Sequence, residues 1–296
     1  MSVIITSSLV IKGNTFIGPN IVTDELDFYF DVGNINSFDN INNNKSTLNN
    51  IAKGGGNPYI SSSFLVNTGS STLTNPFTSS FNPNFGGCLY VSRSSVGVVD
   101  QANFPAISLQ STLTSTSASN TPLLPSDFCS RYLNGRNKLT LGIWHYRIIN
   151  TGLSTQGNFF VAPSPSSTAD NLFNIYATGN GLVMSANFAY GSGNFTTANS
   201  PSGIAERWNY YTCVFNNGLI TVYANGVPGT PVTLGGGATT LRNTGARFFI
   251  GGSWGGPNSS RMVAYLGPIQ IYGKALTQQE ILQNYHSMKG RFGIYS

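Results

Sequence analysis

Hydrophobic and polar positions alternate most clearly in the C-terminal third of the chain. Trp208-Asn209-Tyr210-Tyr211-Thr212-Cys213-Val214-Phe215 is aromatic and β-branched, the composition a strand prefers. Asn217-Gly218 follows, and both residues tolerate the positive φ of a type I′ hairpin turn. Leu219-Ile220-Thr221-Val222-Tyr223 returns, and Asn225-Gly226 turns the chain again. Phe248-Phe249-Ile250-Gly251-Gly252 and Gly267-Pro268-Ile269-Gln270-Ile271-Tyr272 continue what reads as a meandering antiparallel sheet. Upstream, Leu26-Asp27-Phe28-Tyr29-Phe30-Asp31-Val32 repeats at period two, a half-buried strand. Strand-like pieces also fall at 59–66, 87–92, 104–110, 138–149, 158–162, 171–177 and 181–190. Turn clusters such as Ser154–Asn158 and Gly191–Asn194 separate them.

Other stretches break this pattern. Residues 33–57 are rich in Asn, Ser, Lys and Gly and read as a long loop, and residues 111–121 are polar and of low complexity. One helix is signalled, near the C-terminus. Thr277-Gln278-Gln279-Glu280 is a capping box, with Leu276 and Ile281 as a staple. Ile281, Leu282, Tyr285 and Met288 then share one face, and Lys289 and Arg291 sit where the helix dipole favours cations.

Composition agrees with an all-β chain. Only 8% of the 296 residues are charged, against roughly 25% in an average soluble protein, while 40% are hydrophobic. Asn, Ser, Thr and Gly supply the polarity, and these favour turns over long helices. The net charge is +5, but the basic residues are scattered, so neither a basic stripe nor a nucleic-acid partner is expected. Cys88, Cys129 and Cys213 have no CxxC spacing, and Cys88 and Cys213 read as small buried hydrophobes. No apolar run is long enough for a membrane span, and the N-terminus lacks the basic region of a signal peptide. The expectation is a protein made in a cytoplasm, with no membrane partner.

The order of the late elements resembles the laminin-G-like, or concanavalin A-like, jelly roll. The resemblance rests on the Trp208-led strand, the "YxNG" turn at Tyr223–Gly226, Ile250-Gly251-Gly252, and the ending Gly267–Ile281 with its Ala275-Leu276-Thr277. Both ends narrow it. Gly18-Pro19-Asn20-Ile21-Val22-Thr23-Asp24-Glu25-Leu26, through Asp31-Val32-Gly33-Asn34, is similar to the opening of such domains in tailed-phage virion proteins. There a Gly usually stands at the position of Glu25 and an Ala at that of Val32. Gln283-Asn284-Tyr285, through Lys289-Gly290-Arg291-Phe292-Gly293, is similar to their ending. Residues 35–130 match only loosely.

The resemblance implies a list of chemistries to test on the residues. Glucanases of this superfamily carry paired carboxylates as "ExDxxE". The nearest window here is Glu25-Leu26-Asp27-Phe28-Tyr29-Phe30, with Phe30 in the third carboxylate position. Asp24, Glu25, Asp27 and Asp31 therefore read as a solvated strand face and a turn. His145 lies within a strand and His286 on the helix, and neither has a nucleophile signature nearby. Calcium is the ion this fold takes in several branches, and Asp24, Asp27, Asp31 and Asp100 are the carboxylates it would need brought together. For glycans, which stack on aromatics and bond to amides, the candidate contacts are Trp254 and Asn258 in a glycine-rich loop, and Tyr190. Asn194 and Phe195 lie in the same region as Tyr190. Trp144 and Trp208 read as core.

Together these give an all-β, antiparallel β-sandwich of the concanavalin A-like jelly-roll type. An extended N-terminal arm over 1–20 precedes one domain over 21–296, with a short C-terminal helix. The expected function is non-enzymatic: a structural protein of a tailed-phage virion, on the capsid exterior as decoration or on the tail. Its expected partners are other virion proteins, as capsid or tail subunits or a homo-oligomer. The alternative is a lectin-like module that binds cell-surface or mucus glycans; a glycoside hydrolase comes third. No cofactor beyond calcium is expected, and no catalytic residue.

Overall fold

The protein is described here by a computed structural model covering residues 9–11, 14–16, 20–31, 33–34, 37, 47–48, 50–52, 64–67, 77–80, 87–91, 106–108, 132–148, 157–162, 173–178, 182–191, 193–242, 249–250 and 264–295. Its strands, in chain order, begin with β1 (Leu9–Ile11), β2 (Asn14–Phe16), β3 (Leu26–Phe30), β4 (Thr47–Leu48), β5 (Phe64–Asn67) and β6 (Phe77–Ser80). Next come β7 (Cys88–Val91), β8 (Ala106–Ser108), β9 (Lys138–Arg147), β10 (Gly157–Ala162), β11 (Phe173–Thr178), β12 (Val183–Gly191) and β13 (Asn194–Asn199). The last are β14 (Trp208–Asn216), β15 (Leu219–Ala224), β16 (Val227–Pro228), β17 (Val232–Thr233), β18 (Phe249–Ile250) and β19 (Ala264–Tyr272), followed by helix α1 (Gln278–Lys289).

Two antiparallel sheets form the sandwich. One runs β16-β15-β14-β9-β19-β7-β6, with β3 also on β19 and β17 on β15; the other runs β13-β12-β11-β10-β18-β8-β5-β4. Where an extended arm was expected, Leu9–Ile11 folds back on Asn14–Phe16 as a separate two-stranded hairpin. The main core lies between the sheets, where Phe28, Leu141, Phe160, Ile175, Phe188 and Phe215 are buried together.

The hairpin predicted at Asn217-Gly218 is present, with φ of 49° and 84°, and so is that at Asn225-Gly226, with 53° and 83°. The meander does not continue beyond them. β18 crosses to the opposite sheet, between β10 and β8, and β19 returns to lie beside β9. Local turn chemistry fixes a hairpin, but the neighbour of a strand reached by a long connection is chosen by core packing.

The first sheet has a covered outer face. Trp144, Trp208, Tyr210 and Tyr272 point away from the main core and pack with Ile281 of α1 and with Phe292. The Trp144 ring stacks on Tyr285, with centroids 5.7 Å apart, and Phe292 lies 4.6 Å from it. The capping box forms as predicted: Glu280 N–H donates to the Thr277 hydroxyl, and Thr277 N–H donates to Glu280 Oε2 at 2.8 Å. Among the described residues no helix is long and apolar enough to cross a membrane.

Candidate functional site

The two ends of the chain meet on this covered face. Asn284, wholly buried on α1, accepts from Val22 N–H at 2.8 Å and donates to the Tyr272 hydroxyl, which itself donates to Val22 O. Gln283 donates to Asn20 O at 2.7 Å. Arg291 donates to Asp31 at 2.7 Å and to Gly87 O at 3.0 Å. The opening and closing motifs therefore make one joint.

Most of the described acids are held in ion pairs. Asp31 is buried in an ion pair, which corrects its reading as a solvated residue, and Arg291 serves that pair and not the helix dipole. Asp27 pairs with Arg136 at 3.1 Å; Asp24 and Glu280 both pair with Lys274 at 2.7 Å. Glu25 and Glu206 occupy exposed turns with φ of 50° and 52°. Asp24, Asp27 and Asp31 thus answer three different cations, and Asp100 lies outside the described residues. Among the described residues no three His, Cys, Asp or Glu side chains gather as metal ligands.

Neither His145 nor Cys213 has the surroundings of a catalytic group. His145 faces the main core, edge-on to Phe159 at 4.8 Å, and burial first, then the charge of Arg147, pushes its pKa down to about 3. It is a neutral core residue at ordinary pH. Cys88 and Cys213 are buried on opposite faces of the first sheet, and burial raises the Cys213 thiol.

The second sheet carries the contrasting surface. Phe173, Ile175 and Ala177 of β11 and Met184, Ala186 and Phe188 of β12 point into the core. Strand alternation sends Asn174, Tyr176, Thr178, Ser185 and Asn187 to the other face, where Ser185 is buried and the rest are half-buried, and they are joined on β13 by the exposed Phe195, Thr197 and Asn199. These outward groups bond across the strands. Thr197 donates to Asn187 Oδ1 at 2.7 Å, and Asn187 Nδ2 donates to the Tyr176 hydroxyl at 3.3 Å. Thr178 and Ser185 share a hydrogen bond of 3.0 Å, and Ser185 donates to Asn199 at 2.5 Å. From Asn171 to Ala205 the chain has no Asp, Glu, Lys, Arg or His. The face is thus an uncharged array of fixed amides and hydroxyls with a tyrosine and a 37%-exposed phenylalanine. Among the described residues, unlike the first sheet's outer face, it contributes no member to a second apolar cluster.

Of the residues anticipated for glycan contact, Trp254 and Asn258 lie outside the described residues. Tyr190 is half-buried and packs on the main core, with its ring beneath Gly235 and Gly236. A Cβ on Gly235 would stand 2.5 Å from that ring, so glycine permits the approach. Asn194 opens β13, and Phe195 belongs to the outward row. The sequence reading missed Tyr176, Asn187, Thr197 and Asn199. The period-two pattern of β11 and β12 held the signal for the first two. Asn194-Phe195-Thr196-Thr197-Ala198-Asn199 is too polar to announce a strand by itself.

Comparison with known proteins agrees with this frame. The profile of the laminin-G-like branch of the concanavalin A-like lectin/glucanases superfamily matches residues 117–282. No curated protein matches the chain in sequence. Among solved structures, botulinum neurotoxin type C, which interacts with two ganglioside molecules, superposes with a TM-score of 0.56 at 12% identity. The binding domain of botulinum neurotoxin DC, in complex with SialylT, gives 0.55 at 10%, and the same domain with rat synaptotagmin II gives 0.55 at 11%. Each alignment covers 90% of this chain and 52% of the other, so the chain spans about half the length of these structures. At such identity the likeness is one of fold. The profile match extends over more than half of the chain, and the protein belongs to the laminin-G-like branch of the concanavalin A-like lectin/glucanases superfamily.

Proposed function

We propose that the protein is a non-catalytic carbohydrate-binding module that holds glycan on the open face of β11, β12 and β13. One observation carries this reading: the outer face of the second sheet presents pre-bonded amides and hydroxyls beside aromatic rings, without a charge. A sugar offers hydroxyls that donate and accept, and apolar C–H faces that lie on rings. The lectins within the superfamily, the structurally similar neurotoxin that interacts with two ganglioside molecules and the neurotoxin binding domain in complex with SialylT support the same class of ligand. A hydrolase needs two carboxylates about 5–9 Å apart across a groove, and none of the described acids lies on this face.

The test is a glycan array followed by calorimetry on the best ligand. Tyr176→Ala is expected to weaken binding about tenfold and Asn187→Ala about three- to tenfold, the range for one ring contact or one neutral hydrogen bond. Melting temperature should change by only a few degrees. Retention of full affinity in both variants, or binding of no glycan at all, would overturn the reading.

A second reading concerns where the module works. The described residues of the two segments similar to tailed-phage virion proteins, 20–31 and 283–293, meet at one joint held by Asn284, Gln283 and Arg291. This supports placing the module on a tailed-phage particle, as capsid decoration or on the tail. Cryo-EM of purified particles should then find it at stoichiometric copy number; its absence would remove the virion setting and leave glycan binding untouched.

A further inference from the structure

Arg147 closes β9. Alternation puts it in the inward row with Leu141, Ile143 and His145, and its cross-strand neighbour is the core residue Ala264. Its side chain is therefore half-buried at the inward-facing end of β9, within electrostatic reach of Tyr211 and His145. The other half-buried or buried arginines with a structural role are paired, Arg136 with Asp27 and Arg291 with Asp31. Arg147 has no ion pair or hydrogen bond among the described residues. Its neighbours cannot neutralise it: His145 is uncharged, and the Tyr211 hydroxyl is raised by burial and spent on Leu182 O at 2.7 Å. Among the described residues no counter-charge stands beside this partly desolvated guanidinium, and a ligand anion would supply one.

We propose that Arg147 is an anion subsite at the inward-facing end of β9 that takes the carboxylate of an acidic sugar residue. The planar guanidinium fork fits a carboxylate with two hydrogen bonds. The proposal rests on the reading of the chain as a carbohydrate-binding module and adds a position and a charge preference to it. Position connects the two. Leu182, which holds the Tyr211 hydroxyl, immediately precedes β12, and the Thr178–Ser185–Asn199 chain of hydrogen bonds lies at that same end of the open face. A glycan lying along the uncharged face would bring an acidic terminal residue over this end towards Arg147.

The experiment uses an oligosaccharide with a terminal N-acetylneuraminic acid and the same oligosaccharide without it. Both are titrated by calorimetry into the full chain and into Arg147→Gln, Arg147→Lys and Asn187→Ala. The intact protein is expected to bind the acidic form at least tenfold more tightly, and Arg147→Gln to bind the two forms equally. Arg147→Lys should fall between, since it keeps the charge and loses the fork, and Asn187→Ala should weaken both forms alike. Equal binding of the two forms by the intact protein would overturn the subsite while leaving glycan binding in place. So would a glutamate-rich peptide or acetate binding as tightly as the acidic sugar. Binding of neither oligosaccharide, with a blank array, would remove the carbohydrate reading itself. Should Arg147→Gln fail to fold, the Arg147 side-chain N–H signal in NMR supplies the readout: a shift with the acidic form alone supports the subsite, and no shift with either form overturns it.

Discussion

Replacement of Arg291 by alanine is expected to destabilise the protein by about 3–5 kcal/mol, the range for removing one partner of a buried ion pair. The Arg291 and Asp31 side chains are only 6% and 7% exposed, and their contact is 2.7 Å. Asp31 also accepts from Gly33 N–H at 2.9 Å and from the Tyr29 hydroxyl at 3.3 Å. Burial and the nearby Asp31 raise the Tyr29 hydroxyl, so it stays a donor. With Arg291 gone, those two neutral donors remain around a carboxylate that water cannot reach, and Gly87 O loses its donor as well. The large cost comes from the stranded charge more than from the net value of the pair. Asp31→Asn combined with Arg291→Ala is therefore expected to be less damaging than Arg291→Ala alone. Lys274→Ala provides the contrast. Its partners Asp24 and Glu280 are 74% and 25% exposed, and solvent-exposed pairs of that kind contribute roughly 0–1 kcal/mol each. Urea unfolding measures all three; equal small losses for Arg291→Ala and Lys274→Ala would show that the buried pair does not fasten the joint.

The parts of the fold that were legible are those whose causes are local. A positive φ at Asn217 and Gly218 needs only those two residues, and the Thr277–Glu280 box needs four. The helix face of Ile281, Tyr285 and Met288 likewise follows from spacing. The joint was not legible, because Asp31 and Arg291 are 260 positions apart and a carboxylate near a turn looks the same whether solvated or paired. Asn284 was hidden for the same reason: an amide among helix residues looks like surface until Val22 and Tyr272 are seen to need it. The destination of β18 was hidden because a two-residue apolar strand fits either sheet, and only its long-range pairing with β10 and β8 decides. The open face was obscured in another way. Asn, Thr and Ser between apolar residues look like the solvent side of any half-buried strand. What distinguishes this one is the bonding of Asn187 to Tyr176 and Thr197, a property of three strands and not of one.

Lowering the pH from 6.5 to 4.5 is expected to remove about 2 kcal/mol of stability through His145 alone. In the fold, burial and the positive charge of Arg147 hold its pKa down to about 3, against the ordinary 6.5 of the unfolded chain. Above pH 6.5 both states are neutral at this position and nothing changes. Below it the unfolded chain takes up a proton that the folded chain refuses, so stability falls with each unit of acidification, by about 1.4 kcal/mol per unit until the folded value is reached. Other groups titrate outside most of that window or oppose the loss. Hydrogen bonds from Lys274 and Thr277 outweigh burial and hold Glu280 below its ordinary 4.5, so its contribution is lost only at still lower pH. Burial raises Asp27 against the pull of Arg136, and its protonation on acidification works in the stabilising direction. His145→Leu isolates the effect, since leucine suits a core wall made by Phe159 and Tyr211 and cannot take a proton. Urea midpoints between pH 7 and 4.5 should fall steeply in the parent and nearly level out in the variant. Parallel slopes would mean that His145 is protonated in the folded state, and hence that water or an anion reaches the end of β9 where Arg147 stands.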